Sequence, residues 1–167
     1  VYANTVQIGS EQITDDLAIC LKCSHSEAER IKILHGQLQK YQVELSKDIL
    51  IQCFDGEKMV KLSLVTSIIE SRVNQLYQLV QKYLILAPNY DQIYLAGSGA
   101  NLKGLRQWME SKFSKPFNTT IESKYKDLNI NSNYTIAMGQ IIYGYQVGLL
   151  NASQSGFKKK LSKLFSK

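Results

Sequence analysis

No stretch of these 167 residues is apolar for anything near the roughly 18 residues that a membrane-spanning helix needs. A signal-peptide pattern is missing too, and the chain opens on Val1, so it reads as a piece of something longer. Three cysteines, an odd number, argue against a disulfide framework and suggest a reducing compartment. Cys20-Leu21-Lys22-Cys23 has His25 and His35 nearby, but Cys23-x-His25 is cramped for zinc and no second Cys-x-x-Cys follows. Buried thiols are therefore expected, with no metal site. The last ten residues lack any acid and hold five lysines, Lys158, Lys159, Lys160, Lys163 and Lys167. They supply most of the formal charge of +6. The remainder is near neutral, which excludes a globally basic nucleic-acid face and leaves a basic tail to explain.

What is present is globular: 44% hydrophobic and 20% charged residues, enough chain for one large domain or two small ones. The stretch that organises the rest is 91–113. Ile93, Tyr94 and Leu95 form a short β-prone run, followed at once by Gly97-Ser98-Gly99. Leu102, Leu105, Trp108, Met109 and Phe113 then recur at helical spacing. Strand, glycine turn, helix is the expectation. Glycines let a backbone approach a ligand, and amides at a helix start suit an anion such as a phosphate. The pattern is neither a dinucleotide fingerprint, since Leu102 replaces the third glycine, nor a Walker loop. A tight βα turn without a ligand fits it equally well.

Around that unit the spacing predicts a strand over 1–8 and a helix over 13–21 with Asp15 and Asp16 in its first turn. Capping boxes at Ser24/Glu27 and Ser26/Glu29 start a second helix, which His35-Gly36 ends. Strands 50–54 and 58–62 join through Asp55-Gly56, a hairpin signal. A long amphipathic helix fills 63–86 until Pro88-Asn89 breaks it. A strand over 117–122 and a helix over 134–144 follow. Residues 151–156 are a polar linker. Beyond it, Phe157, Leu161, Leu164 and Phe165 line one helical stripe, with the lysines on the other side. That composition suits an interfacial helix on anionic lipid; a solvated basic end and nucleic-acid contact are the other readings.

At this point the sequence resembles the second half of the FtsA family, the bacterial cell-division branch of the actin and Hsp-type ATPase superfamily. Gly9-Ser10-Glu11-Gln12-Ile13-Thr14-Asp15-Asp16-Leu17-Ala18 is similar to the family's Gly-Gly-x-x-Ile-Thr-x-Asp-Ile-Ala. Glu27-Ala28-Glu29-Arg30-Ile31-Lys32 with a following glycine, and Ile68-Ile69-Glu70-Ser71-Arg72-Val73, match two further motifs. Residues 93–105 resemble the adenosine motif, 135–144 the helix with the second hinge, and a basic amphipathic tail closes the chain. The departures are Ser98 and Ser10 for glycine and Ser71 for proline.

The resemblance implies an α/β chain: an actin-like (ribonuclease-H-like) subdomain over 1–23 and 89–150, interrupted by an α+β subdomain over 24–88. Linker 151–156 and a membrane-targeting helix 157–167 follow. ATP would meet Glu29 and Lys32 at its ribose and base, with Gly97, Ser98, Gly99 and Asn101 near its phosphates and sugar. Arg72 would receive the acidic C-terminal peptide of the tubulin-like partner FtsZ. Phe157, Lys158, Lys159, Lys160, Leu161, Lys163, Leu164 and Phe165 would bind an anionic membrane. The implied function is a self-associating scaffold at the division site, on the cytoplasmic face of the inner membrane, without nucleic acid. No Asp-x-Gly-x-x-x-Thr phosphate loop and no carboxylate placed for magnesium occur here. The chain is thus expected to be a C-terminal half with no catalytic residue, at most part of a weak ATPase. A pilus or secretion adaptor resembling PilM is the alternative, against which the basic tail argues.

Overall fold

The computed structural model describes residues 5–38, 46–85, 93–118 and 134–146. Linker 151–156 and tail 157–167 lie outside the described residues, as does the first half of the strand expected over 1–8. Its second half, 5–8, takes no regular secondary structure.

Helix α1 (Ser10–Leu21) starts earlier than its apolar spacing suggested, because Gln12 Oε1 accepts from the Gly9 amide at 2.6 Å and caps the first turn. Asp15 and Asp16 therefore fall past the first turn, where the helix dipole matters less. Ile13, Leu17 and Leu21 carry the buried stripe, and Thr14 is buried beside them. The helix stops where Lys22 turns left-handed (φ 54°), with Cys23 N–H on Ala18 O at 3.1 Å and Lys22 N–H on Ile19 O at 3.4 Å.

Helix α2 (His25–His35) follows directly. Ser24 Oγ accepts from the Glu27 amide at 3.2 Å, as the capping box requires. Glu27 does not complete the box. Its carboxylate takes both Arg30 Nε and Nη2 and reaches the Gln52 amide at 3.0 Å, tying α2 to the next strand. Held by Arg30 first and by the Gln52 amide, Glu27 titrates at about 2. Gly36 closes α2 for lack of space: a Cβ there would lie 2.2 Å from Lys32 O.

Strands β1 (Asp48–Cys53) and β2 (Gly56–Lys61) form an antiparallel hairpin that buries Ile49, Ile51, Cys53 and Val60. The turn is Phe54-Asp55, one residue earlier than expected. Gly56 instead pairs with Cys53 and takes the positive φ (117°) that a side chain would resist. Cys23 bridges Cys53, whose Sγ donates to Leu21 O at 3.2 Å. Cys23 and Cys53 are buried as expected, and burial raises the Cys23 thiol; Cys20 is exposed.

Helix α3 (Leu62–Ile85) lies against α1 and buries Leu62, Val65, Ile69 and Val73 in the common core. Strand β3 (Ile93–Tyr94) pairs in parallel with β4 (Phe117–Asn118), joined by a 3₁₀ turn (Ser98–Asn101) and α4 (Leu105–Phe113). The expected strand–turn–helix is there, but α4 begins at Leu105 rather than Leu102, because left-handed Gly104 (φ 82°) interposes a second break. Trp108 donates to Glu70 Oε1 at 3.3 Å and meets Tyr77 edge-on at 5.8 Å, joining α4 to α3. Helix α5 (Thr135–Gln146) ends the described fold. Among the described residues no helix is long and apolar enough to cross a membrane.

One side chain holds these layers together. Leu17 is fully buried on α1, the helix that touches both α2 and α3. Leu17→Ala is expected to cost about 2–5 kcal/mol of unfolding free energy, read from denaturant midpoints. A loss under about 1 kcal/mol would mean that α1 is not the central layer.

Candidate functional site

Lys32 sits one turn after Glu29 on α2, and α1 crosses beside both. The Lys32 side chain is only 11% exposed, so its ammonium must find acceptors within the chain. It finds three: Glu29 Oε2 at 2.6 Å, Thr14 Oγ1 at 2.6 Å and Ser10 O at 3.1 Å. Thr14 in turn donates to the same Glu29 oxygen at 2.6 Å. The result is a closed triangle of ammonium, hydroxyl and carboxylate, whose Thr14 corner is entirely buried. Sequence reasoning selected Glu29 and Lys32 and missed Ser10 and Thr14. A threonine beside the apolar stripe of α1 was the available signal.

Burial pushes the Glu29 carboxyl upward. The hydrogen bonds from Lys32 and Thr14 and the Lys32 charge outweigh it, so the net displacement is downward. Among the described residues Glu29 Oε1 accepts no hydrogen bond, which leaves one carboxylate oxygen for a ligand hydroxyl.

The pair faces a cleft of about 810 Å³. Ser98, Gly99 and Asn101 line it from the 3₁₀ turn, and Ser10 from the start of α1. Its floor is apolar: Val73, Leu76, Leu95, Leu105 and Met109. The first amides of a 3₁₀ turn have no acceptor within the turn, so those of Ser98 and Gly99 are suited to an anion. Gly97 is not part of the lining. Its φ of 92° makes the turn, and glycine is required there. Five of the six expected nucleotide contacts, Glu29, Lys32, Ser98, Gly99 and Asn101, thus converge on one cavity from two distant segments. Glu29 is the acidic residue among the described lining, with its Oε2 engaged by Lys32 and Thr14.

Arg72 also borders the cleft, from α3. Its Nε and Nη2 each donate at 2.6 Å to the two oxygens of Asp16, and Nη1 donates to Gln75 Oε1 at 2.6 Å. The tail residues expected to bind a membrane, within 157–165, lie outside the described residues. Elsewhere Glu11, Asp15 and His25 form an exposed cluster, with His25 Nε2 3.0 Å from Glu11 and 3.5 Å from Asp15.

A lowered carboxylate contributes stability above its unfolded titration range and loses it as pH falls through the folded value. Lys32→Met removes one hydrogen bond and the charge that hold Glu29 down, leaving the Thr14 hydrogen bond alone against the upward push of burial. Carboxyl-detected NMR titration should then find Glu29 protonating at higher pH than in the parent, with acid sensitivity setting in earlier. An unmoved Glu29 would mean that Lys32 is not its controlling partner.

The model of the family described as "Cell division protein FtsA" matches residues 1–139. The "Cell division protein FtsA" of Buchnera aphidicola subsp. Acyrthosiphon pisum (strain APS) is 26% identical over 140 residues, covering 70% of this chain and 32% of that protein. Its counterpart in Buchnera aphidicola subsp. Schizaphis graminum (strain Sg) is 24% identical over a 176-residue alignment, covering 93% and 41%. The chain therefore spans about a third to two-fifths of the length of these relatives. Among solved structures, MreB5 of Spiroplasma citri bound to AMPPNP superposes with a TM-score of 0.69 at 18% identity, over 89% of this chain and 47% of that one. The same protein bound to ADP gives 0.70 at 17%, over 88% and 47%. At such identities the likeness speaks for the fold: mixed α/β and actin-like.

Proposed function

Since this chain belongs to the cell division protein FtsA family, we propose that it is the nucleotide- and partner-binding portion of an actin-like division scaffold. One observation carries the nucleotide reading. Glu29 and Lys32 of α2 converge with Ser98, Gly99 and Asn101 of the 3₁₀ turn on one cleft, although about 70 residues separate the two groups. ATP is the proposed ligand. Glu29 Oε1 would accept from a ribose hydroxyl, and the 3₁₀ amides would face phosphate oxygens. The apolar floor would lie under the base, and Lys32 would exchange one internal acceptor for the ligand.

Nucleotide bound here would tune self-association into filaments and would drive no chemical step on these residues. On the same reading Arg72 contacts the acidic C-terminal peptide of FtsZ. Residues 1–23 with 89–150 and residues 24–88 form two subdomains, and the tail binds the cytoplasmic face of the inner membrane at the division site.

Gly99→Val tests the cleft. A Cβ at Gly99 would meet only the Ser10 Cβ at 3.9 Å, an ordinary contact, so the fold should tolerate it while the branched side chain intrudes on the ligand. Affinity for a fluorescent ATP analogue, measured in the longest chain that binds it, should fall at least about tenfold, equivalent to about 1.4 kcal/mol. Undiminished affinity in a variant that melts like the parent would remove the turn from the site.

The tail is tested independently. Phe157, Leu161, Leu164 and Phe165 form its apolar stripe, and eleven residues are too few for a stable helix in water. On phosphatidylglycerol vesicles the full chain should co-sediment and a chain lacking residues 156–167 should not. Salt should weaken the lysine contribution and leave that of the stripe. Equal pelleting of both chains would sink the anchor.

A further inference from the structure

We propose that Asp16 is a built-in competitor for the Nε/Nη2 edge of Arg72, so that an acidic partner segment takes that edge only by displacing it. The inference rests on the reading of Arg72 as a partner contact.

A guanidinium binds a carboxylate best through two parallel N–H groups along one edge. At Arg72 the Nε/Nη2 edge is fully used, each nitrogen 2.6 Å from a different oxygen of Asp16. Nη1 donates to Gln75 at 2.6 Å, so one N–H remains on each of Nη1 and Nη2. The Nε/Nη2 edge is the one fully taken by a carboxylate. An incoming Asp or Glu would therefore find that edge occupied by a group of its own chemistry.

The pair is built for exchange. Its side chains are 25% and 27% exposed, so a peptide in water can reach them and neither charge is sealed in the core. Swapping one carboxylate for another keeps Arg72 paired, while the displaced Asp16, still carried on α1, remains as a second negative charge beside the site. Asp16 nevertheless holds the advantage of attachment. Being carried on α1, it acts at a high effective concentration that a free peptide must overcome. Displacing it does not require α1 to move, because Leu17, the next residue, is fully buried and anchors the helix independently.

A second consequence follows from the position of Asp16. The same helix supplies Ser10 O and Thr14 Oγ1 to Lys32, so one rigid element carries both the partner-side acceptor and the acceptors of the cleft. The default state is a closed Arg72, opened by a partner that offers more than one contact.

The test is fluorescence polarisation on the 167-residue chain with a labelled peptide of the acidic FtsZ C-terminus. A control peptide carries Asn and Gln in place of its acids. Asp16→Asn should tighten binding of the acidic peptide about three- to tenfold, and leave the control unchanged. Arg72→Gln should abolish the preference for the acidic peptide. If Asp16→Asn binds no more tightly while Arg72→Gln weakens binding, the competitor is overturned and Arg72 keeps its place in the site. If Arg72→Gln binds both peptides like the parent, Arg72 itself is removed, and the competitor with it. Should Asp16→Asn fail to melt like the parent, the parent answers alone through the Arg72 Nε–H resonance. Saturating acidic peptide should shift it as the partner changes, and an unmoved resonance overturns the proposal.

Discussion

A lysine side chain left only 11% exposed needs acceptors within the chain, and meeting that need ties the first two helices together. Lys32 recruits Glu29 from its own helix, and Thr14 and Ser10 from the helix before it. The two acceptors on α1 tie that helix to α2. With that set, Ile31 and Ala28 face Leu17 and Leu21 in a core without exposed surface at Leu17, Ala28 or Ile31. The polar triangle is thus continuous with the apolar core, and the same contacts that hold the helices together leave one Glu29 oxygen at the edge of the cleft.

Helix α1 is the shared wall. One side carries Ser10 and Thr14 to the Lys32 network, another carries Asp16 to Arg72 of α3, and its apolar stripe fills the space between. A short helix can do this because residues three and four apart face the same way while intermediate ones turn outward. The cleft and the Arg72 pair are therefore neighbours through one rigid body, which is how two sites of different chemistry come to border the same cavity. On the far side, Trp108 and Glu70 tie α4 to α3, and the Leu38 amide after α2 donates to Lys103 O after the 3₁₀ turn.

Much of the local architecture was legible. Apolar periodicity placed α3 within one residue at each end, since a 24-residue amphipathic run has no competing reading. Ser24 was recognisable as a cap, and Gly36 as a stop. The misplacements share a cause. The start of α1, the turn of the hairpin and the start of α4 were decided by single backbone contacts: the Gln12 cap, the Cys53–Gly56 pair and left-handed Gly104. Such contacts do not register in hydrophobic spacing, which senses only the face a residue buries.

The sequence by itself determined the identities that chemistry needs: a Glu and a Lys one turn apart, a glycine turn after a strand, an arginine on a long helix and a basic amphipathic end. It also determined the family, because several soft motifs in a fixed order are hard to match by chance. Tertiary structure alone decided which partner each group takes. That Lys32 is satisfied by Thr14 and Ser10, that Gly97 shapes the turn while Gly99 borders the cleft, and that Arg72 is held by Asp16 across 56 residues all depend on distance in space. Charge and propensity act locally along a chain. The choice among several available carboxylates for one guanidinium is made by packing, which brings one within 2.6 Å and leaves the others out of reach.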